Sequence, residues 1–464
     1  MRLTRVLLFF AALACTFWQF SGSVEAGSDE RLLKLVGLSR HGVRAPTQKK
    51  ELLDLWSTRS WPVWPVKSGD LTPRGYDLVA AMWSNLRERI SDYGIIPKNG
   101  CAPSGKVFIR ADTDERTRAT ASAILSGLLP GCAASYAVLN AGIDPLFHPV
   151  KAGLYRFDPT SAATDVLAMT GGGLEQLQES MSGQLTLLDR IAGPPAPGLC
   201  AMYGLPPSCH YYDMPNGVAV SPGGADIRLT GSLAIASSIA EIFLLEYGEW
   251  PGAAAGWGQV DGTVLGQLLP VHSRVFDVVN RAPLISWARG SSLLLDIAQA
   301  LAGKHQDKRM NDASLLVFVG HDTNIANIGG LLGIKWVPEG YPLNAIPPAG
   351  VLFFELWEKN GRKEVRLNFY AQTPAVLHAQ FGVKHGMEHN QAILANEKDF
   401  LSTENIKSHA PSRVRVSAPP IVGQARYSLA EFQDKVQYIT SGAPIAPPAK
   451  DLIFIPADGP IPQN

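Results

Sequence analysis

Three short apolar runs, each ending in charged or polar residues, constrain the fold of this chain more than any other feature. They are residues 31–39 (RLLKLVGLS), 106–112 (KVFIRAD) and 313–320 (ASLLVFVG). Helical patterns follow the second and third runs, and strand-like runs that alternate with helices are typical of βα units. We therefore expect an α/β fold, in which a mostly parallel central sheet carries flanking helices.

A change of pattern between residues 156 and 280 indicates an insertion into this fold. Two long helical stretches occur there, LEQLQESMSGQLTLLDRIA from residue 174 and LTGSLAIASSIAEIFLLEY from residue 229. We expect a mainly α cap domain at 156–280. The α/β domain is then discontinuous and comprises residues 27–155 and 281–464.

After the insertion the sheet is expected to resume with the third run and with a strand pair at 350–358 and 363–371. A short helix beyond it has a capping-box start at Ser428 and Glu431.

The first residues resemble an export signal. Arg2 and Arg5 precede the apolar stretch 6–15, and a small-residue cleavage site follows at 24–26. We expect residues 1–26 to be a signal peptide and the mature protein to be periplasmic or secreted. No later segment has the apolar length of a membrane span, so we expect no membrane contact after cleavage.

Cleavage would leave four cysteines, and an exported chain is expected to pair them. Three connectivities are possible. The short spacing of the last two favours a local bridge, which would leave the first two for each other. In chain order the four are Cys101, Cys132, Cys200 and Cys209.

A compact cationic motif, RHGVRAP, follows the first apolar run. The formal charge of the chain is zero, which argues against nucleic-acid binding, so an anion would have to be bound by a local cluster. Arg40 and Arg44 offer forked donors that match phosphate oxygens. His41 lies between them, and neighbouring cations lower the pKa of a histidine and keep it nucleophilic. An ordinary charged surface loop is the alternative.

Two further motifs follow the other strand-like runs. GHDTN supplies His321, a second imidazole donor, and Asp322, which can protonate a leaving oxygen; DERTR supplies Arg116. The carboxyl ends of parallel strands meet at one edge of a sheet, so all three motifs are expected at one site. The structural alternatives are a helix cap for Asp322 and a surface ion pair with Glu115 or Asp112 for Arg116. Asp112 or Asp114 could also cap the helix that follows the second run.

The stretch HGMEH, residues 385–389, fits the H-x-x-E-H pattern of a zinc peptidase. Gly386 weakens the helix that such a site needs, and a short pattern arises easily by chance. A zinc peptidase is retained as a minor alternative, and we expect no metal or cofactor.

RHGVRAP with a distant HDTN resembles the histidine acid phosphatases of the phosphoglycerate-mutase-like superfamily. The resemblance is greatest to the bacterial periplasmic phytases and covers most of residues 30 to about 375. It rests on RHGVRAPT, WPVWPVKSGDLTPRG, DERTRATASAILSGLLPGC, LTGSLAIASSIAEIFLLE and GHDTNIANIGGLLG, which occur in that order.

The resemblance implies a phytase that releases phosphate at acidic pH through a phosphohistidine on His41, with Asp322 as the general acid. It also implies the disulfides Cys101–Cys132 and Cys200–Cys209, and a monomer whose partner is a small phosphate monoester. The implied phosphate clamp is Arg40, Arg44, Arg116 and His321. The implied contacts to the rest of the substrate are Thr47, Glu241, His272 and Arg289.

One departure concerns the substrate. A lysine that binds substrate in the phytase relatives is Gln48 in this chain. The same chemistry on a sugar phosphate such as glucose-1-phosphate is therefore the first alternative. A non-catalytic protein that binds phosphate esters is the second.

Overall fold

The computed structural model describes residues 30–379 and 416–459. The strands within these ranges are β1 (Glu30–Arg40), β2 (Val107–Ala111), β3 (Ser135–Leu139), β4 (Gly217–Val220), β5 (Ile227–Thr230), β6 (Leu315–Gly320), β7 (Val351–Lys359), β8 (Arg362–Gln372), β9 (Val416–Ser417), β10 (Arg426–Ser428) and β11 (Leu452–Pro456).

Helices occupy most of the intervals between these strands. They are α1 (Lys50–Trp56), α2 (Pro73–Asp92), α3 (Glu115–Leu128), α4 (Pro159–Ala168), α5 (Leu174–Ser180), α6 (Ser182–Ala192), α7 (Pro197–Met202), α8 (Ser232–Glu249), α9 (Ala255–Gly258), α10 (Gly262–Asn280), α11 (Pro283–Leu301), α12 (Lys308–Asp312), α13 (Asp322–Leu332), α14 (Pro374–His378) and α15 (Leu429–Ile439).

One large sheet has the order β10-β8-β7-β1-β6-β2-β3-β11, with β9 beside β8. The centre of the sheet, β1-β6-β2-β3, is parallel, and antiparallel strands extend it on both sides. This arrangement confirms the predicted α/β class, and the predicted hairpin is β7–β8. The remaining two strands, β4 and β5, form a separate small sheet.

Helices cover both faces of the large sheet because successive strand residues alternate between two apolar cores. Leu316 and Phe318 of β6 pack with α11, α13 and α15 on one face. Val317 and Val319 pack with α2 and α3 on the other. The sheet is therefore buried on both sides, which fits the near-continuous apolar runs of its central strands.

The segment 156–280 contains helices and the β4–β5 pair, and none of its described strands joins the large sheet. Its apolar core is continuous with residues of α1, α2 and α11, among them Leu53, Leu78 and Ile285. The boundaries of a separate cap domain at 156 and 280 stay a prediction. Within the segment, the stretch predicted as one helix from residue 174 forms two helices, α5 and α6, which meet at Met181.

Both predicted disulfides are confirmed. Cys101 pairs with Cys132, and Cys200 pairs with Cys209. The predicted signal peptide and the HGMEH motif lie outside the described residues. Within the described ranges, no helix combines the length and the apolar character that crossing a membrane requires.

Candidate active site

The carboxyl ends of β1, β6 and β2 lie side by side and bring the three motifs together. Arg40 at the end of β1 is in register with Gly320 at the end of β6, and Ala111 of β2 is in register with Val319. The backbone N–H of His41 donates to Gly320 O over 3.0 Å, and that of Asp112 donates to Val319 O over 2.9 Å. The residues that follow each strand therefore start from one edge of the sheet.

Close packing against α2 holds the loop that carries His41. A Cβ atom on Gly75 of α2 would lie 2.1 Å from the Val43 carbonyl oxygen, and one on Gly42 would lie 2.9 Å from Gly75 O. Only glycine fits at both positions, because a side chain on either would push the helix and the loop apart. The nucleophile candidate is thus carried on rigid backbone.

His41 has the tautomer that a nucleophile at Nε2 requires. Its Nδ1 lies 2.9 Å from the carbonyl oxygen of Gly42; a carbonyl only accepts, so Nδ1 carries the proton and the lone pair of the neutral ring is on Nε2. Burial, followed by the positive charges of Arg116, Arg40 and Arg44, holds the pKa of His41 well below its ordinary value. The neutral ring is therefore favoured to lower pH than in an ordinary histidine.

The three arginines around His41 each retain an unused donor. The buried Nε–H groups of Arg40, Arg44 and Arg116 have no hydrogen-bond acceptor within the part of the chain that the structure describes. Burial lowers the pKa of Arg44 to about 10, although Glu241 opposes the shift, so this side chain is still charged below neutral pH. Buried unpaired donors are costly unless a ligand supplies the acceptor.

Asp322 is the first residue of α13 and lies against Arg40. Its Oδ2 is 3.0 Å from Arg40 Nη2, and its Oδ1 accepts the backbone N–H of Thr323 over 2.8 Å. Burial alone would raise the pKa of Asp322, but Arg40 and Arg44 outweigh burial and lower it. Asp322 is therefore the first helical residue and a neighbour of the cationic cluster; the N-cap of α13 is His321, so the alternative of a helix cap at Asp322 is not borne out.

Glu241 and His272, on α8 and α10, join the same network. Glu241 Oε1 accepts from Arg40 Nη2, and its Oε2 lies 3.2 Å from His272 Nε2. His272 Nδ1 lies 3.1 Å from the carbonyl oxygen of Ser237, so this nitrogen carries a proton. The segment 156–280 thus contributes two side chains to the site.

The other two residues implied by the resemblance lie at the periphery. A methyl group on Gly69 would contact both the Thr47 methyl and Arg116, 3.5 and 3.7 Å away, so exposed Thr47 borders the cluster. Arg289 of α11 pairs with Asp226 over 2.6 Å and lines a pocket that also contains Thr323, the neighbour of Asp322.

Two residues of the site carry no assigned role in the sequence interpretation. Asp112, treated there as a helix cap or a partner of Arg116, is fully buried, and its Oδ2 lies 2.7 Å from Nε2 of both His321 and His148. Arg116 instead pairs with Asp114 over 2.5 Å. Asp112 could have been identified from sequence, because it directly follows β2 as His41 directly follows β1. His148 lies in an irregular segment after β3, and no such feature identifies it.

The carboxylates and imidazoles of this group are also the ligand types that divalent metals use. Ligand atoms of Asp112, Asp114, His148 and His321 all lie within 4.8 Å of one another. Histidine binds metal through an unprotonated nitrogen, whereas both Nε2 atoms here face a carboxylate oxygen to which they must donate. Arg116 adds a positive charge 3.4 Å from His321 Nδ1. The donor set therefore fits a hydrogen-bond network better than a cation site.

Comparison with known proteins gives a family match. The model of the histidine phosphatase superfamily (branch 2) matches residues 31–182 and 257–370. These ranges contain His41, Arg116, His272 and Asp322.

Individual relatives give matches of similar extent. Phytase AppA from Escherichia coli (strain K12) is 34% identical over 363 residues, which cover 76% of this chain and 83% of the relative. Glucose-1-phosphatase from Salmonella typhimurium is 26% identical over 336 residues, or 70% and 77% of the two chains. Among solved structures, Hafnia alvei phytase in complex with myo-inositol hexakis sulphate has a TM-score of 0.77 at 31% identity, covering 91% of this chain and 100% of that one.

Proposed function

The chain belongs to branch 2 of the histidine phosphatase superfamily, and we propose that it is an exported acid phosphatase that removes phosphate from myo-inositol hexakisphosphate (phytate). The unused Nε–H donors of Arg40, Arg44 and Arg116 are the observation that carries the proposal. Three guanidinium groups whose charges act on one neutral histidine form a site for an anion with several oxygens. The two disulfides support export.

In the first chemical step, Nε2 of His41 attacks phosphorus in line with the ester oxygen. The N–P bond forms while the P–O bond breaks, and the leaving oxygen takes the bond pair and a proton from Asp322. Nδ1 of His41 keeps its proton on Gly42 O throughout. The products of this step are the free alcohol and a phosphohistidine.

In the second step, water attacks phosphorus and gives a proton to the Asp322 carboxylate. The N–P bond breaks with its electron pair returning to Nε2, and inorganic phosphate leaves.

Phosphate monoesters hydrolyse so slowly that enzymatic accelerations can reach ~10²¹-fold, whereas proton donation contributes only about 10²–10⁴-fold. The fixed positive charges of the arginines must therefore supply a large share, by stabilising the transferring phosphoryl group.

The periphery of the site supports a substrate with several phosphates. Arg289 is half-buried, lines a pocket beside Thr323, and places a cationic group, paired with Asp226, outside the clamp. Similarity to both a phytase and a glucose-1-phosphatase makes a sugar phosphate the second candidate. We propose phytate as the better substrate. An ester with one phosphate would place that group in the clamp and would leave no second phosphate to contact Arg289.

The proposal is tested by phosphate release from phytate, glucose-1-phosphate and p-nitrophenyl phosphate at acidic pH. We expect phytate to have the highest kcat/KM, and Arg289→Gln to lower it for phytate by about tenfold, the value of one charge-assisted contact, while changing p-nitrophenyl phosphate hydrolysis little. Higher kcat/KM on glucose-1-phosphate would favour the sugar phosphatase. Phosphate binding without release would indicate the non-catalytic protein, and loss of activity in EDTA would indicate a metal enzyme.

Activity is expected to fall as the pH rises from acid to neutral. The lowered pKa of His41 keeps Nε2 unprotonated in acid, so the nucleophile survives there. The lowered pKa of Asp322 means that this acid loses its proton early as the pH rises, although a bound phosphate dianion opposes the loss. A kcat/KM profile with its maximum at about pH 8 or above would contradict this assignment of acid and nucleophile.

A further inference from the structure

One buried carboxylate oxygen beside the phosphate clamp accepts hydrogen bonds from two imidazole rings. Oδ2 of Asp112 lies 2.7 Å from His321 Nε2 and 2.7 Å from His148 Nε2. Oδ1 of Asp112 accepts the backbone N–H of Thr113 over 2.8 Å. Burial would raise the pKa of Asp112, but the hydrogen bonds from His148 and His321 outweigh burial and lower it. The group is therefore an ionised carboxylate with three donors.

The two shared contacts fix where the protons are. A carboxylate only accepts, so Nε2 of His148 and Nε2 of His321 both carry hydrogen. The remaining nitrogen of His321, Nδ1, lies 3.4 Å from Arg116, and the His321 ring meets that of His41 edge to face with centroids 5.7 Å apart. In the neutral ring Nδ1 therefore carries the lone pair and can accept from Arg116, a clamp residue; it donates to a phosphate oxygen only when the ring gains a second proton.

We propose that His148 is a positioning residue for the phosphatase reaction: it holds the Asp112 carboxylate and, through it, the tautomer and the orientation of His321. His148 itself touches no reacting atom. The inference rests on the proposed function, since it concerns the same site, and it assigns a role to a side chain outside the nucleophile, acid and clamp.

A competing acceptor explains why His321 needs this support. Its Nε2 also lies 3.5 Å from Asp114 Oδ2, and that carboxylate already pairs with Arg116. If Asp112 turned away, His321 would move its hydrogen bond to Asp114 and compete with Arg116 for that carboxylate. A donor on the far side of Asp112 Oδ2 prevents the turn, and His148 is that donor. Its ring also packs on the His321 ring, with centroids 4.9 Å apart.

The test compares His148→Gln with His148→Met. The two side chains have nearly the same length, but only glutamine can place an N–H where Nε2 of His148 lies. We expect the Met variant to bind inorganic phosphate about tenfold more weakly by calorimetry and to lose roughly 10–100-fold in kcat/KM on p-nitrophenyl phosphate, as for other residues that orient a functional histidine. The Gln variant is expected to remain within about threefold of the parent protein, because it keeps the donor.

A second readout reports on His321 without turnover. In ¹⁵N-histidine-labelled protein we expect two low-field Nε2–H resonances from the imidazoles on Asp112. The Gln variant should lose one and keep the other, whereas the Met variant should shift or broaden the remaining resonance. Unchanged phosphate affinity and an unchanged His321 resonance in a folded Met variant would overturn the proposal.

Folding failure and failure of the proposed function give different results. If the Met variant is unfolded by circular dichroism, the Gln variant decides: a folded Gln variant with a tenfold loss of phosphate affinity would overturn the role of the donor. If the parent protein hydrolyses none of the esters, the proposed function fails. The resonance pattern and the phosphate affinity then still test the contact of His148 with Asp112.

Discussion

His41→Ala is expected to lose turnover by about 10⁵-fold or more, on the scale seen when a covalent nucleophile is removed. The reason is that burial and the charges of the three arginines lower the pKa of His41, while Nδ1 is bonded to Gly42 O, so that Nε2 presents its lone pair to the site. The measurement is kcat on p-nitrophenyl phosphate. Trapping with a radiolabelled ester under alkaline quench, where phosphohistidine survives, should label the parent protein and leave the variant unlabelled.

The control for His41→Ala is His305→Ala. His305 pairs with Asp296 over 3.3 Å and precedes the amino end of β6, whereas the site lies at the carboxyl end of that strand. This variant should keep kcat within about twofold, as expected of a substitution outside the site. Inorganic phosphate should still bind to His41→Ala, because Arg40, Arg44 and Arg116 remain. Turnover or labelling that survives in His41→Ala would show that another group is the nucleophile.

The centre of the candidate site could be predicted from sequence because its residues directly follow strands. His41, Asp112 and His321 each come one position after β1, β2 or β6, and adjacent parallel strands place such positions at one edge. Apolar periodicity identified those strands, so the positions followed from local pattern alone. The same reasoning misread Asp112 only in its role, since an aspartate before a helix is commonly a cap.

The helical contributions to the site required more than local pattern. Glu241 and His272 lie on α8 and α10, and only the resemblance placed them beside Arg40. A physical signal for Glu241 exists: it lies in a mostly apolar helix, where a buried carboxylate needs a partner. The signal does not identify that partner, because the contact depends on how α8 packs against the sheet.

His148 shows the limit of prediction from sequence most clearly. It lies between β3 and α4, outside regular structure, and its partner Asp112 is 36 positions away. Their contact depends on the neighbouring positions of β2 and β3 in the sheet, which periodicity does not specify. A similar limit applies to β11, which pairs with β3 from a distant part of the chain.

Asp322→Asn is expected to separate substrates by the quality of their leaving groups. An inositol or sugar oxygen is strongly basic and needs a proton as the P–O bond breaks, so we expect kcat/KM, which reports the first step, to fall by about 10²–10⁴-fold on such esters. The p-nitrophenolate ion leaves without protonation, so its ester should lose less than about tenfold in the first step. Asparagine keeps the size of the side chain and an acceptor for the Thr323 N–H, so the backbone at the start of α13 is preserved.

The control for this comparison is Asp296→Asn, which makes the same chemical change within α11, beside His305 and outside the site. It should lower neither activity. In Asp322→Asn, the decline of kcat/KM between acid and neutral pH should also flatten for phytate, because the group that loses its proton is gone. Equal losses of kcat/KM on phytate and p-nitrophenyl phosphate would instead mean that Asp322 acts through Arg40, its partner at 3.0 Å, and that the proton comes from another acid, because kcat/KM does not report the later hydrolysis of the phosphohistidine.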